Sequence, residues 1–156
     1  NCAILTRILE TRAAVDRTKK RVIITERSVL TDLHVFAKMN RDLGNINSLE
    51  WELYLKWFGG YSHETPISAA IHVTTSVETA VKRISQRARV GEGNIPTAYL
   101  IMLNEYHNEW LDNTSMPVLK ISTEDGVKES DNIELIREFV KGVSDISKID
   151  PCVRYV

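Results

Sequence analysis

Arg83, Arg87, Arg89 and Glu92 fall in one short run, Arg83-Ile84-Ser85-Gln86-Arg87-Ala88-Arg89-Val90-Gly91-Glu92. Just before and within it, Val77, Ala80, Val81 and Ile84 recur at three- and four-residue steps, which predicts a helix. Arg83 and Arg87 are four apart and share one helix face. Arg89 follows at the helix end, beside the hinge-like composition Gly91-Glu92-Gly93-Asn94. Guanidinium groups converging beside a movable segment suit a transferring phosphoryl group, whose charge sits on outward oxygens. An acid just beyond them suits a sugar hydroxyl. The same run also reads as a solvated basic helix face, and spacing alone leaves both open.

The elements that must position these groups follow from the apolar pattern. Arg21-Val22-Ile23-Ile24-Thr25 is a short apolar run, which predicts a buried parallel strand. It leads into Glu26-Arg27-Ser28, and in open α/β sheets the carboxyl ends of strands face the ligand crevice. A carboxylate and a guanidinium there can hold a metal and an attacking hydroxyl. Ser28 equally suits the cap of a following helix, with Asp32 in its first turns, and both roles are compatible.

Helices are expected over about 3–15, with Ile4, Leu5, Ile8 and Leu9 as the stripe, and over about 29–41. Asn47-x-x-Glu50 reads as a capping box for a helix carrying Leu49, Leu53 and Trp57. Further strands are expected at about 69–74 and 117–121. A helix opens at Pro96, a turn falls at Thr123-Glu124-Asp125-Gly126, and an amphipathic helix carries Ile133, Ile136, Phe139, Val140 and Val143. The tail from Ser144 has no clear pattern. Strands alternating with helices imply a parallel α/β sheet with right-handed crossovers, in one domain over residues 1–156.

Composition sets the class. The 156 residues are 43% hydrophobic and 26% charged with net charge −1, as in an ordinary globular protein. Nothing global argues for nucleic acid or an anionic membrane, and no apolar run is long enough to span a bilayer. No aromatic platform accompanies the arginine helix, against single-stranded nucleic acid as partner. The two cysteines, Cys2 and Cys152, lack metal spacing, and a reducing, cytoplasmic compartment is expected, with organellar targeting left open.

An ordered set of motifs resembles the deoxyribonucleoside kinases, the group of deoxycytidine, deoxyguanosine and insect multisubstrate kinases. The set runs Cys2-Ala3-Ile4-Leu5-Thr6-Arg7, Glu26-Arg27-Ser28-Val29 with Asp32, Phe36-Ala37-Lys38, and Glu50-Trp51 with Tyr54 and Trp57. It continues through Arg83-Ile84, Arg87-Ala88-Arg89 and Glu92, Ile95-Pro96 with Tyr99-Leu100, and Leu103 with His107 and Trp110-Leu111. Thymidylate kinase and its relatives share an arginine lid but lack the Glu26-Arg27-Ser28 and Asp32 combination.

The resemblance implies a three-layer parallel β-sheet with flanking helices, P-loop kinase-like. It implies transfer of the ATP γ-phosphate to a deoxynucleoside 5′-hydroxyl with magnesium, in a homodimer. Glu26 resembles the magnesium-linked acid, and Arg27 the arginine holding the 5′-hydroxyl region. Arg83, Arg87 and Arg89 resemble the lid arginines that clamp phosphates, and Glu92 the lid carboxylate to the sugar 3′-hydroxyl. Arg7 and Asp32 match the pair that reads the base edge in the cytosine- and purine-accepting branch, disfavouring thymidine. Phe36 falls where aromatic residues line the nucleoside pocket. Thr123, Glu124 and Asp125 fall where a loop holds the donor adenine. No Gly-x-x-x-x-Gly-Lys-Ser/Thr occurs in the sequence. The chain is therefore expected to be the C-terminal three-quarters or so of such a kinase, inactive by itself. The alternative is a degenerate, non-catalytic paralogue that binds nucleosides or only dimerises.

Overall fold

The computed structural model describes residues 2–18, 22–89 and 95–149. Glu92 lies outside them. The chain divides into two compact units, residues 1–68 with 143–156, and residues 69–142.

In the first unit, α1 (Cys2–Thr18) precedes a helical stretch with three parts: α2 (Val29–Thr31), a π-helical segment (Asp32–Ala37) and α3 (Lys38–Asp42). Ser28 opens it as expected: its hydroxyl accepts the Thr31 N–H at 3.4 Å, and the Thr31 hydroxyl accepts the Ser28 N–H at 3.3 Å. This reciprocal box satisfies donors that a helix start otherwise leaves open. α4 (Ser48–Tyr61) starts from the expected Asn47–Glu50 box, with bonds of 2.8 and 3.0 Å. A 3₁₀ turn (Ser62–Glu64) follows, and Arg12 of α1 pairs with Glu64 there. Ile8, Val29, Ala37 and Tyr54 form the core, with Leu33, Trp51 and Phe58 packed against it.

One expectation changes here. Val22–Thr25 is not a buried strand: Ile24 is 66% exposed. Among the described residues only two strands exist, and they pair with one another. Apolar content predicts burial only where a ladder partner and covering layers exist. On α4 the structure fixes which apolar face turns inward. Leu49, Leu53 and Trp57 point outward, all of them exposed, whereas Trp51, Tyr54 and Phe58 face the core. The helix is apolar on both faces, and the period alone does not say which face turns inward.

In the second unit, β1 (Ala70–Thr74) and β2 (Val118–Ser122) run parallel, with Ala70 opposite Val118 and His72 opposite Lys120. A parallel pair needs a long connection. Here that connection carries α5 (Val77–Arg87) and α6 (Thr97–Asn113). Ser76 caps α5 by accepting the Thr79 N–H at 3.2 Å. At the far end Ala88 closes the helix in the left-handed region, φ +48°, its N–H on the Ile84 carbonyl at 3.1 Å. After β2, a turn with Gly126 at φ +96° leads to α7 (Glu129–Ile149). α7 begins in this unit; its residues from Val143 on belong to the first unit, and they remain helical to Ile149, past where the sequence has a clear pattern. The architecture is α/β: helix-rich, with a small parallel sheet.

Candidate functional site

The first cluster is built by the bend between the extended segment and α2. Arg27 sits there with φ +63°, a left-handed conformation that costs a side-chain-bearing residue about 1–2 kcal/mol. The Thr25 hydroxyl braces the bend by donating to the Arg27 carbonyl at 2.9 Å. The bend leaves the Glu26 and Arg27 side chains exposed. It also turns the Glu26 carbonyl toward α1, where Arg7 Nη1 donates to it at 3.2 Å.

Arg7 does more than hold the bend. Its Nε donates to Asp32 Oδ2 at 2.8 Å, with the side chains 27% and 14% exposed. A half-buried, charge-assisted bond of this kind is stronger than a surface ion pair. Asp32 opens the π-helical segment, and Phe36 lies near its end. π-Helical turns recur at functional sites. The Arg27 guanidinium lies over the Phe36 ring, 4.9 Å from the centroid, at cation–π distance. Arg7 with Asp32, and Arg27 with Phe36, are thus two contacting pairs within one unit.

Tyr54 adds a group whose part the sequence did not reveal. Its ring stacks on Trp51, centroids 5.5 Å apart and planes 4° from parallel. Its hydroxyl is buried without a hydrogen-bond partner among the described residues. Burial pushes the phenol above its ordinary range, and the Asp32 charge adds to the shift. The sequence places Tyr54 only as a member of the Glu50-Trp51 motif, three residues after Trp51, with no role given to its hydroxyl. His34 lies in the same π-helical segment, held below its ordinary value by burial and then by Lys38.

The second cluster belongs to the second unit. Arg83 reaches from α5 to the turn after β2: Nη1 donates to Thr123 Oγ1 at 3.3 Å, Nη2 to the Thr123 carbonyl, and Nη2 to Asp125 Oδ1 at 3.4 Å. Lys82 Nζ reaches Asp125 Oδ2 at 3.3 Å, and this bond heads the causes that hold the Asp125 carboxyl below its ordinary range. Arg83 and Asp125 are therefore in contact. Arg87 ends α5 and Arg89 follows the left-handed Ala88; both side chains are exposed. Glu124 grips the start of α5, accepting from the Ser76 N–H, from Thr75 Oγ1 at 3.0 Å and from Thr79 Oγ1 at 2.7 Å. Those donors, the Ser76 N–H first, hold its carboxyl at about 2.

His107 Nδ1 bonds the Leu103 carbonyl at 2.6 Å, a structural contact, and its ring stacks on buried His72 at 6.1 Å. Among the described residues no three His, Cys, Asp or Glu side chains gather as a metal site. No described helix is long and apolar enough to cross a membrane.

A family profile described as deoxynucleoside kinase matches residues 2–144. The chain belongs to the deoxynucleoside kinase family. Within that family it is 30% identical over 140 residues to a probable deoxycytidine kinase of Fowlpox virus, covering 81% of this chain and 59% of that one. It is 30% identical over 106 residues to the mitochondrial deoxyguanosine kinase of Xenopus laevis, covering 65% of this chain and 40% of that one. The chain thus spans about two-fifths to three-fifths of the length of these relatives. A solved structure of deoxyadenosine kinase from M. mycoides with bound dCTP matches with a TM-score of 0.64 and 25% identity, covering 90% of this chain and 73% of that one. The fold is that of the P-loop kinase-like nucleoside kinases.

Proposed function

We propose that this chain is the acceptor-reading and phosphate-clamping part of a deoxynucleoside kinase. The whole protein moves the γ-phosphate of ATP to a deoxynucleoside 5′-hydroxyl, with cytosine and purine bases favoured over thymine. The observation that carries this reading is the Arg7–Asp32 bond at 2.8 Å. A half-buried, oriented pair offers a donor and an acceptor in fixed places. A base that cannot match them leaves polar groups unsatisfied, and such a site rejects mismatches strongly.

The other groups take roles by chemistry. Phe36 supplies an apolar wall for the nucleoside, and Arg27, held over that ring, positions the attacking hydroxyl. Arg83, Arg87 and Arg89 offset negative charge on phosphate oxygens as the bond to the leaving group lengthens. Glu92 accepts a hydrogen bond from the 3′-hydroxyl. Asp125 and the turn around it receive the donor base. Magnesium in phosphoryl transfer takes one or two carboxylates and fills its other positions with phosphates and water. Exposed Glu26 fits that pattern as a single protein ligand; bound there, the ion would neutralise donor phosphate charge. The outward row of Leu49, Leu53 and Trp57 on α4 suits a second copy of the chain, giving a homodimer.

The test is phosphorylation of deoxycytidine, deoxyadenosine, deoxyguanosine and thymidine by the full-length protein carrying this chain, with ATP and magnesium. The expected order places thymidine at least tenfold below the best substrate in kcat/KM. Arg7→Met combined with Asp32→Ala should narrow that gap. Thymidine as the preferred substrate would overturn the base assignment. Absence of transfer to any nucleoside, with nucleoside binding retained, would establish the non-catalytic alternative.

A further inference from the structure

The turn after β2 and the helix that carries the arginines are joined at two places of different quality. Toward the middle of α5 the links are Arg83 and Lys82 to Asp125, whose side chains are 43%, 61% and 70% exposed. Exposed ion pairs of this kind hold a geometry weakly. Arg83 also donates to the Thr123 carbonyl, but from the end of a long, exposed side chain.

At the start of α5 the link is compact. Both carboxylate oxygens of Glu124 are used: Oε1 accepts from the Ser76 N–H and Thr75 Oγ1, Oε2 from Thr79 Oγ1. The hydrogen bonds are ordered in one direction. The Thr79 N–H donates to Ser76 Oγ at 3.2 Å, Ser76 Oγ donates to Thr79 Oγ1 at 2.9 Å, and Thr79 Oγ1 donates to Glu124. Each hydroxyl has one hydrogen, so an acceptor-only group at the end completes the chain without conflict. A carboxylate at the positive end of a helix also meets the helix dipole favourably. Glu124 is fixed on its own side as well: its N–H donates to Ser122 Oγ at 3.2 Å, and the preceding Thr123 N–H donates to the Thr74 carbonyl at 2.9 Å.

We propose that Glu124 is a positioning residue that latches the turn 123–126 to the first turn of α5, so that a donor nucleotide seated on the turn is registered by the helix bearing Arg83 and Arg87. The inference rests on the kinase reading for the donor and on the geometry alone for the latch. Glu124 touches neither substrate. It sets where the turn backbone lies and ties that placement to the helix, through three donors from a single short segment.

The experiment is hydrogen–deuterium exchange on the full-length protein with and without ATP, paired with steady-state kinetics, for wild type, Glu124→Ala, Glu124→Gln and Thr79→Val. In the wild type, ATP slows exchange in 123–127 and in 76–80 together. Without ATP, Glu124→Ala speeds exchange of the Ser76 amide by about tenfold, the scale of one charge-assisted bond. In that variant ATP protects 123–127 without protecting 76–80. KM for ATP rises by about fivefold or more while KM for the deoxynucleoside stays within about twofold. Glu124→Gln lies between, because the amide keeps one acceptor and presents N–H groups to Thr79. Thr79→Val removes the Thr79 Oγ1 bond to Glu124 and its bond from Ser76 Oγ, and keeps the test open if the alanine variant fails to fold.

ATP protection reaching both segments in Glu124→Ala, or an unchanged Ser76 amide, overturns the latch. Equal rises in both KM values assign Glu124 a merely structural role and overturn it too. A faster Ser76 amide in Glu124→Ala, with no ATP protection of 123–127 even in the wild type, upholds the latch and overturns the donor reading instead.

Discussion

The guanidinium of Arg27 lies 4.9 Å from the centroid of the Phe36 ring, nine residues along the chain. One residue is strained at φ +63° on the bend, and the other lies near the end of the π-helical segment. The contact gives the exposed arginine a fixed resting place, and a cation over a ring is worth about 0.5–1 kcal/mol at such a site. Phe36→Leu keeps an apolar wall but removes the ring face. If the proposed transfer holds, kcat of the full-length protein should fall about two- to fivefold, with little loss of stability. An unchanged kcat would detach this contact from the reaction.

Tyr54→Phe should stabilise the protein. The hydroxyl is buried and unpartnered among the described residues, while the ring fills the core beside Trp51. Removing an unsatisfied polar atom without changing ring shape is worth about 1 kcal/mol, or about 2–4 °C in Tm for a protein of this size. Thermal unfolding of the two proteins checks it, and a lower Tm in the variant would mean that the hydroxyl has a partner in solution, such as a buried water.

Stability should fall as pH drops below 6.5. His72 is held below its ordinary value of 6.5 by burial first, then by the charges of His107 on α6 and Lys120 on β2, with Asp112 opposing. His34 is lowered by burial and by Lys38. A histidine whose folded pKa lies below its unfolded one contributes stability in its neutral form. That contribution is complete above the unfolded value and is lost as pH falls through it toward the folded pKa. Tm measured from about pH 7.5 down to about pH 5 should decline, and His72→Asn should flatten part of the slope. A Tm profile identical in the variant would remove His72 from the account. Glu124, at about 2 in the folded protein against 4.5, adds a separate loss as pH falls from 4.5 toward about 2.

Ala88→Gly should raise stability at the end of α5. Ala88 adopts φ +48°, ψ +38°, where glycine carries no Cβ penalty. After the entropy that glycine gains in the unfolded chain, a net gain of about 0.5–1 kcal/mol is expected by chemical denaturation. A loss of stability would place the strain elsewhere.

Features governed by a few neighbouring residues were legible in the sequence. The Ser28 and Asn47–Glu50 caps depend on side chains three residues from their partners, and both formed. The cores of β1 and β2 were readable as short apolar runs between turn residues. Val22–Thr25 carried the same composition and came out exposed, because burial of a strand is conferred by its neighbours. The periodicity of α4 left its direction open for a related reason, since two apolar faces on one helix give the period no preferred side. Arg7 and Asp32 are separated by 25 residues, and no local pattern joins them; only the ordered likeness to a family brought them together. The π-helical segment left no mark in the sequence, because Asp32-Leu33-His34-Val35-Phe36-Ala37 has ordinary helical polarity.

That segment has a consequence for how the face around Asp32 can change. The Lys38 N–H bonds back to the Leu33 carbonyl, a loop one residue wider than the α-helical one. A wide turn is what a helix becomes when it gains a residue and its ends stay put. Deleting one residue between Asp32 and Ala37 would let the helix close to a regular α form. The side chains on the far side of the cut would then swing by about a quarter of a turn or more. The face of this segment can thus be re-indexed by the length of the gene as well as by its spelling, and a one-codon deletion would exchange which side chains stand beside Asp32 while the helix itself survives.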